Sequence, residues 1–340
     1  MKAVLKSLVL VCVFIVAACT NKSDQTTVWI YTSLYKDTIS KLTPQLEKDF
    51  PNVKFQFYQA GSEEVAAKVQ AESLSGQIQA DILISSDRFW YEDLSRQGSL
   101  LAYKPKNSDQ VTEPYKNKDG FYTTLSFPVM VIAYNSDVVL EVDAPKSFSD
   151  LRQKKWKDKV SSGSPLASGT NFTTVAFLVK KYGWDYFNDL RQNNFIAEGG
   201  NSGVIRRLQS KERPVGIVLL ENILRLTETD SRIKYVIPAD GVILHSNVLA
   251  IVKKAAHQEI HQKIADWFFE NPSQNMMADS FMYPAILLNQ KKGSEPLKIP
   301  DSLPKFSIMT SKNMPWSNEF INETLKTREE IKNKFSKIVF

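Results

Sequence analysis

The feature that most constrains this chain is the rhythm of its first hundred mature residues. "TVWIYTSL" (27–34) is rich in β-branched and aromatic residues and reads as a strand ending at Ser33. "YKDTISKLTPQLEKDF" follows with Ile39, Leu42, Leu46 and Phe50 at helical spacing, and Pro51-Asn52 stops it. "VKFQFYQ" alternates as a strand, "AGSEEVAAKVQAESLSG" opens a helix at Gly61-Ser62, "ADILISS" is a buried strand, and "DRFWYEDLSRQGSL" is a helix beginning at Ser86 or Asp87. Strand, helix, strand, helix, strand, helix predicts an α/β fold with a parallel sheet covered on both faces.

In such sheets ligands sit beyond the carboxyl ends of the strands, where the next helices begin. Three junctions of this kind carry hydroxyls: Ser33, Ser62 and the pair Ser85-Ser86. Each alone is an ordinary helix cap. Their shared edge of one sheet points to a binding face.

Further on, "FYTTLSFPVMVIAYNSDVV" reads as apolar strands broken by Pro128, where the chain is expected to cross into a second lobe. "APKSFSDLRQKKWKDKV" is expected to hold a short helix entered by a capping Ser. Then come strand "KVSSGSP", a helix from about Gly169 to Tyr182, another in "GWDYFNDLRQNN", and Gly199-Gly200-Asn201-Ser202-Gly203 at a helix start. "VGIVLLENILRL" runs from a buried strand into Glu221-Asn222 and a helix. A helix from about Gln258 to Glu270 is assigned back to the first lobe, and "NEFINETLKTREEIKNKF" is a charged amphipathic helix ending the fold. The expected division is 28–127 plus 242–290 for lobe one and 128–241 plus 291–340 for lobe two.

The stretch "SPLASGTNFTTVAFLVKKYGWDYF" places Ser168, Gly169, Thr170, Thr173 and Thr174 at the mouth of an apolar helix. Capping by hydroxyls is one reading. The other is an anion site built from helix N–H groups and hydroxyls.

The N-terminus reads "MKAVLKSLVLVCVFIVAACTNKSDQ": two lysines, an apolar run from Leu8 to Val16, then small residues before Cys19. This is a secretory signal, too short to span a membrane. Val16-Ala17-Ala18-Cys19 resembles a bacterial lipobox, which implies that residues 1–18 are removed, Cys19 is lipidated, and residues 19–27 form a polar tether. The only other cysteine, Cys12, lies in the removed part, so no internal disulfide and no thiol metal site is expected. Removal takes two lysines and no acid, which lowers the formal net charge from +6 to +4. That mild excess fits an anionic ligand. Lys and Arg are dispersed, and no nucleic-acid surface is indicated.

His257 and His261 stand four residues apart on a helix, a metal-compatible spacing, but no third ligand accompanies them and a solvated face is expected. His245 is expected to pack in the core or hinge. Trp90 and Tyr91 either line the cleft mouth or enter the core. Ser168 has no histidine partner and sits in no hydrolase elbow, so catalysis is not expected.

The ordered blocks "VWIYTSL", "FPNVKFQFYQAGSEEVAAKVQAE", "ADILISSDRFWYEDLSRQGSLLAYKP", "VIAYNSD", "SPLASGTNFTTVAFLVKKYGWDYFNDL" and "VGIVLLENI" resemble the extracellular solute-binding proteins of ABC importers. The nearest branch holds ferric-ion-binding proteins together with binders of phosphorylated sugars and aminoethylphosphonate. The resemblance covers nearly all of the mature chain. It implies a two-lobed periplasmic-binding-protein fold (type II) that hinges shut on one small ligand, as a monomer without cofactor, and delivers it to an inner-membrane permease. No Gly-x-x-x-x-Gly-Lys loop is present, so the ATPase is a separate protein.

Iron binders of this branch carry adjacent tyrosines just after the strand equivalent to "VGIVLLENI". Here Leu219, Leu220, Glu221 and Asn222 stand there, and leucine offers nothing to a hard ferric ion. The phosphorylated-sugar branch implies that Ser33, Ser62, Ser86, Ser168, Gly169, Thr170, Asn201 and Ser202 surround a phosphate or phosphonate. Glu221 would then accept from hydroxyls or an ammonium on the ligand, and Asn222 would serve either end. The alternatives are a ferric-iron binder and a surface lipoprotein with no transport role, the latter predicting no closable cleft.

Overall fold

The computed structural model describes residues 25–254 and 256–340; the expected signal segment and Cys19 lie outside them. β1 (Thr26–Thr32) leads to α1 (Lys36–Asp49), β2 (Val53–Gln59) to α2 (Ser62–Leu74), and β3 (Ile82–Ser85) to α3 (Arg88–Arg96). After β4 (Thr123–Phe127) the chain crosses at Pro128 into β5 (Val129–Asn135) and reaches β6 (Val160–Ser162). Next come α4 (Gly169–Tyr182), α5 (Asp185–Gln192), β7 (Ile196–Ala197), α6 (Asn201–Ser210), β8 (Val215–Leu219) and α7 (Leu220–Thr227). β9 (Ile233–Val236) and β10 (Ile243–Leu244) precede the return crossing into β11 (Asn247–Ile251). α8 (Gln258–Phe268), α9 (Asn271–Ala278), β12 (Tyr283–Pro284), α10 (Phe306–Ser311) and α11 (Asn318–Val339) complete the described chain.

The strands form two sheets, ordered β12-β4-β11-β3-β1-β2 and β10-β5-β8-β6-β7, with β9 paired to β5. Each sheet is the floor of one lobe. β1 pairs in parallel with β2 and β3, as the alternation predicts, and β6 pairs in parallel with β7 and β8. The sheets are nonetheless mixed, because the crossing strands β5 and β11 run antiparallel to their neighbours. A strand that enters a sheet from the cleft must run opposite to those that end there. β3 and β5 are buried along their whole length, as expected of strands covered on both faces.

Three expectations change. The segment "SFSDLRQKKW" makes two short 3-10 turns, Ser149–Arg152 and Lys154–Trp156, and no α-helix. Only Phe148, Leu151 and Trp156 of that stretch are buried, too few apolar residues for a helical stripe. The return to the first sheet comes at Asn247 and not at residue 242, since Ile243 and Leu244 still pair with β5. The segment after residue 291 does not belong to the second lobe alone. Phe306 stacks on Phe127 with ring centroids 5.9 Å apart and packs on Tyr283 at 5.0 Å, both in the first sheet.

Candidate functional site

The carboxyl ends of β1, β2 and β3 face those of β6 and β8 across a cavity of about 220 Å³. Ser33, Ser62 and Ser86 line it from the first lobe. Ser168, Thr170, Asn201, Ser202 and Glu221 line it from the second. A cavity of this volume has room for a small solute.

Of the helix starts around the cavity, only that of α3 is capped by a side chain, Asp87 accepting from Trp90 N. Ser168 occupies the N-cap position of α4 yet makes no capping bond, and the same holds for the N-cap residues of α1, α2, α6 and α7. The Ser168 hydroxyl lies instead 2.9 Å from the Thr170 hydroxyl, which accepts from Asn201 Nδ2 at 3.2 Å. The capping reading is therefore corrected for Ser168 and Thr170, whose hydroxyls bond to each other and line the cavity, while the Thr174 hydroxyl donates back to Thr170 O at 2.8 Å within the helix.

Two expected residues do not line the cavity. Gly169 donates its backbone N–H to Ser62 Oγ at 2.7 Å, a bond between lobes. A Cβ at this position would lie 2.5 Å from the Cβ of Asp87, so only glycine permits the approach. The Asn222 side chain turns away and accepts from the Tyr35 hydroxyl at 2.9 Å. Nearby, Arg225 of α7 pairs with Asp37 of α1 at 2.8 Å, and its guanidinium lies over the Tyr35 ring at 4.4 Å.

The described residues lining the cavity include no lysine, arginine or histidine. Positive potential there comes from helix N-termini and hydroxyl dipoles. The one carboxyl group is Glu221, 1% exposed, whose Oε2 has no hydrogen-bond partner. Burial pushes its pKa up to about 7, against the opposing influence of Arg225 and of backbone N–H groups. Asn201 Oδ1 is a second buried acceptor without a partner. The site thus combines hydroxyl and N–H donors with two acceptors that await a donor.

Sequence reasoning missed Tyr35, Gln59, Gly200, Asn247 and Met282, all of which line the cavity. Tyr35 and Gly200 lie in turns already singled out and were within reach. Asn247 and Met282 arrive from the return crossing and from β12, which carry no local signal. Trp90 and Tyr91 are both buried in the first-lobe core and do not reach the cavity. His261 does not lie on a solvated face as expected: it is 2% exposed, with Nε2 3.6 Å from Asp81, because α8 turns that side onto the sheet. His245 is buried at the return crossing, with Nε2 3.3 Å from the Thr174 hydroxyl.

A family described as bacterial extracellular solute-binding protein matches residues 78–311, more than half of the chain. The chain belongs to this family. Two curated relatives of this solute-binding protein are a protein of Haemophilus influenzae and a probable ABC transporter periplasmic-binding protein of Sinorhizobium fredii. The first is 23% identical over 238 residues, 66% of this chain and 68% of the relative. The second is 23% identical over 219 residues, 62% of this chain and 60% of the relative. Among solved structures, the periplasmic binding protein AfuA of Actinobacillus pleuropneumoniae, with fructose-6-phosphate bound, superposes with a TM-score of 0.79. It is 20% identical, with 93% of this chain and 99% of that one covered. The ferric binding protein of Campylobacter jejuni superposes with a TM-score of 0.75 at 16% identity, covering 91% and 99%. At such identities the likeness is one of fold, and that fold is the type II two-lobed arrangement. Among the described residues, no helix is long and apolar enough to cross a membrane.

Proposed function

We propose that this solute-binding protein serves an ABC importer and captures a small anionic solute of the phosphorylated-sugar or phosphonate class between its lobes. One observation carries the reading: a cavity between the lobes lined by hydroxyls and helix starts, with a buried carboxyl group on its wall whose Oε2 has no hydrogen-bond partner. Phosphate or phosphonate oxygens would accept from Ser33, Ser62, Ser86, Ser168, Thr170 and Ser202 and from first-turn N–H groups. Glu221 and Asn201 Oδ1 would accept from hydroxyls or an ammonium at the other end of the solute. Gly169 and Asn222 would act indirectly, through the contacts that hold the lobes together.

The donor set supports this class over iron. A ferric ion prefers several phenolates, and among the described residues Tyr35 is the single tyrosine lining the cavity, its hydroxyl already donated to Asn222. Its partners would be the importer's membrane permease, which recognises the closed form, and a membrane reached through lipid on Cys19. The protein would act as a monomer, with no nucleic acid involved.

Thermal shifts of the purified protein against sugar phosphates, phosphonates, inorganic phosphate, polyamines and ferric citrate test the proposal. A large shift with one phosphorylated compound supports it and names the cargo. A shift with ferric citrate alone overturns it.

A further inference from the structure

The C-terminal helix α11 is rooted on the second lobe but reaches across to the first. Before its start, the Trp316 indole N–H donates to Leu244 O at 2.9 Å, at the return crossing. Along the helix, Phe320 packs on Phe177 of α4 with ring centroids 4.2 Å apart, and Phe335 on Phe187 of α5 at 5.0 Å. Between these anchors, Arg328 and Lys332 turn toward the other lobe. Arg328 pairs with Glu63 at 3.2 Å and, more closely, with Asp87, while Lys332 pairs with Glu63 at 2.9 Å.

Both acids stand next to the cavity. Glu63 follows Ser62 in the first turn of α2, and Asp87 follows Ser86 and caps α3 by accepting from Trp90 N. Asp87 is also the residue against which Gly169 is pressed. The Asp87 side chain is fully buried and Arg328 nearly so, with its guanidinium over the Phe172 ring at 5.0 Å. Opening the lobes pulls Asp87 and Glu63 away from Arg328. A largely buried ion pair resists separation, because either charge left alone in a poorly solvated position is costly.

We propose that Arg328 is a positioning residue for solute capture: without touching the solute, it clamps Glu63 and Asp87 and so sets the balance between closed and open lobes. The inference rests on the interlobe cleft being the capture site and is independent of the ligand class proposed above.

Hydrogen exchange of the Gly169 amide, read in the full-length protein without ligand, tests it, since that N–H is held by Ser62 only when the lobes meet. Arg328→Met is expected to speed this exchange by about tenfold while β8, in the second-lobe core, keeps its protection. Lys326→Met, the same charge change on an exposed position of α11, is expected to behave as the native protein. Equal Gly169 exchange in all three proteins overturns the proposal.

If β8 also loses protection in Arg328→Met, Arg328→Lys decides. Gly169 exchange faster than native with β8 protected supports the clamp, because an ammonium cannot hold Glu63 and Asp87 as the guanidinium does, and native exchange at Gly169 overturns it. Calorimetric titration with fructose 6-phosphate adds a second reading, with Kd expected to rise by about tenfold in Arg328→Met through faster dissociation. Absence of fructose 6-phosphate binding in the native protein would count against the ligand class, while the exchange experiment still judges the clamp.

Discussion

Ser62 Oγ accepts the backbone N–H of Gly169 at 2.7 Å, and the two residues begin helices that rise from different sheets. The bond joins two helix N-termini face to face. It brings the first turn of α4 against Asp87, at the start of α3, where no side chain fits. The lobes therefore meet through backbone at the rim of the cavity, and the hydroxyl residues on either side come to face one space.

Gly169→Ala is expected to weaken solute binding without unfolding the protein. The added Cβ would meet the Asp87 Cβ at 2.5 Å, and relief requires the lobes to part. Overpacking of this kind costs about 1–3 kcal/mol, or roughly five- to 150-fold in affinity. Titration calorimetry measures the loss, and a ligand-free melting temperature within a few degrees of native shows that each lobe still folds.

Ser168→Ala and Thr170→Ala are each expected to reduce affinity about fivefold, from a lost hydrogen bond of about 1 kcal/mol. Ser168 makes no capping bond, so its removal leaves the helix start intact. Thr170→Ala also strips Asn201 Nδ2 of its acceptor. Unchanged affinity in both variants would take these hydroxyls out of the binding site.

Glu221→Gln is expected to gain stability relative to the native protein as pH rises. Burial raises the Glu221 pKa from 4.5 to about 7, so between these values the folded state binds the proton that the unfolded state has released. The native protein pays a penalty that is absent below about pH 4.5 and reaches about 3 kcal/mol above pH 7. Melting curves of both proteins at about pH 5 and about pH 8 give the comparison. A difference that does not change with pH would contradict the assignment.

His245→Gln is expected to flatten the acid limb of stability. Burial lowers the His245 pKa from 6.5 to about 3, so its proton favours the unfolded chain. The stability linked to the neutral ring is complete above about pH 6.5 and is lost as pH falls toward 3, amounting to about 2 kcal/mol by pH 5. Chemical denaturation at about pH 7 and about pH 5 should show the native protein losing that much more than the variant.

Much of the architecture was legible because it is written in local pattern. Alternating β-branched residues and 3.6-residue apolar spacing placed β1 to β3 and α1 to α3. Pro128 marked the first crossing, and α4 begins at Gly169 as read. The turns that carry Ser33, Ser62, Ser86, Ser168, Asn201 and Glu221 were identifiable because polar residues at strand-to-helix junctions stand out locally. Where local pattern was thin, as in "SFSDLRQKKW", the reading failed and 3-10 turns formed.

The sequence alone determined which segments become strands and helices and which turns end on the cavity-facing edge, because hydrogen-bond periodicity and amphipathicity act over a few residues. Only the tertiary structure decided that Gly169 spends its N–H on Ser62, that Asn222 turns to Tyr35, and that Asn247 and Met282 complete the wall. It also decided that Glu221 is buried without a full set of partners and that Arg328 finds Asp87. These relationships join residues far apart in the chain, and they depend on how two lobes close, a geometry that no local periodicity encodes.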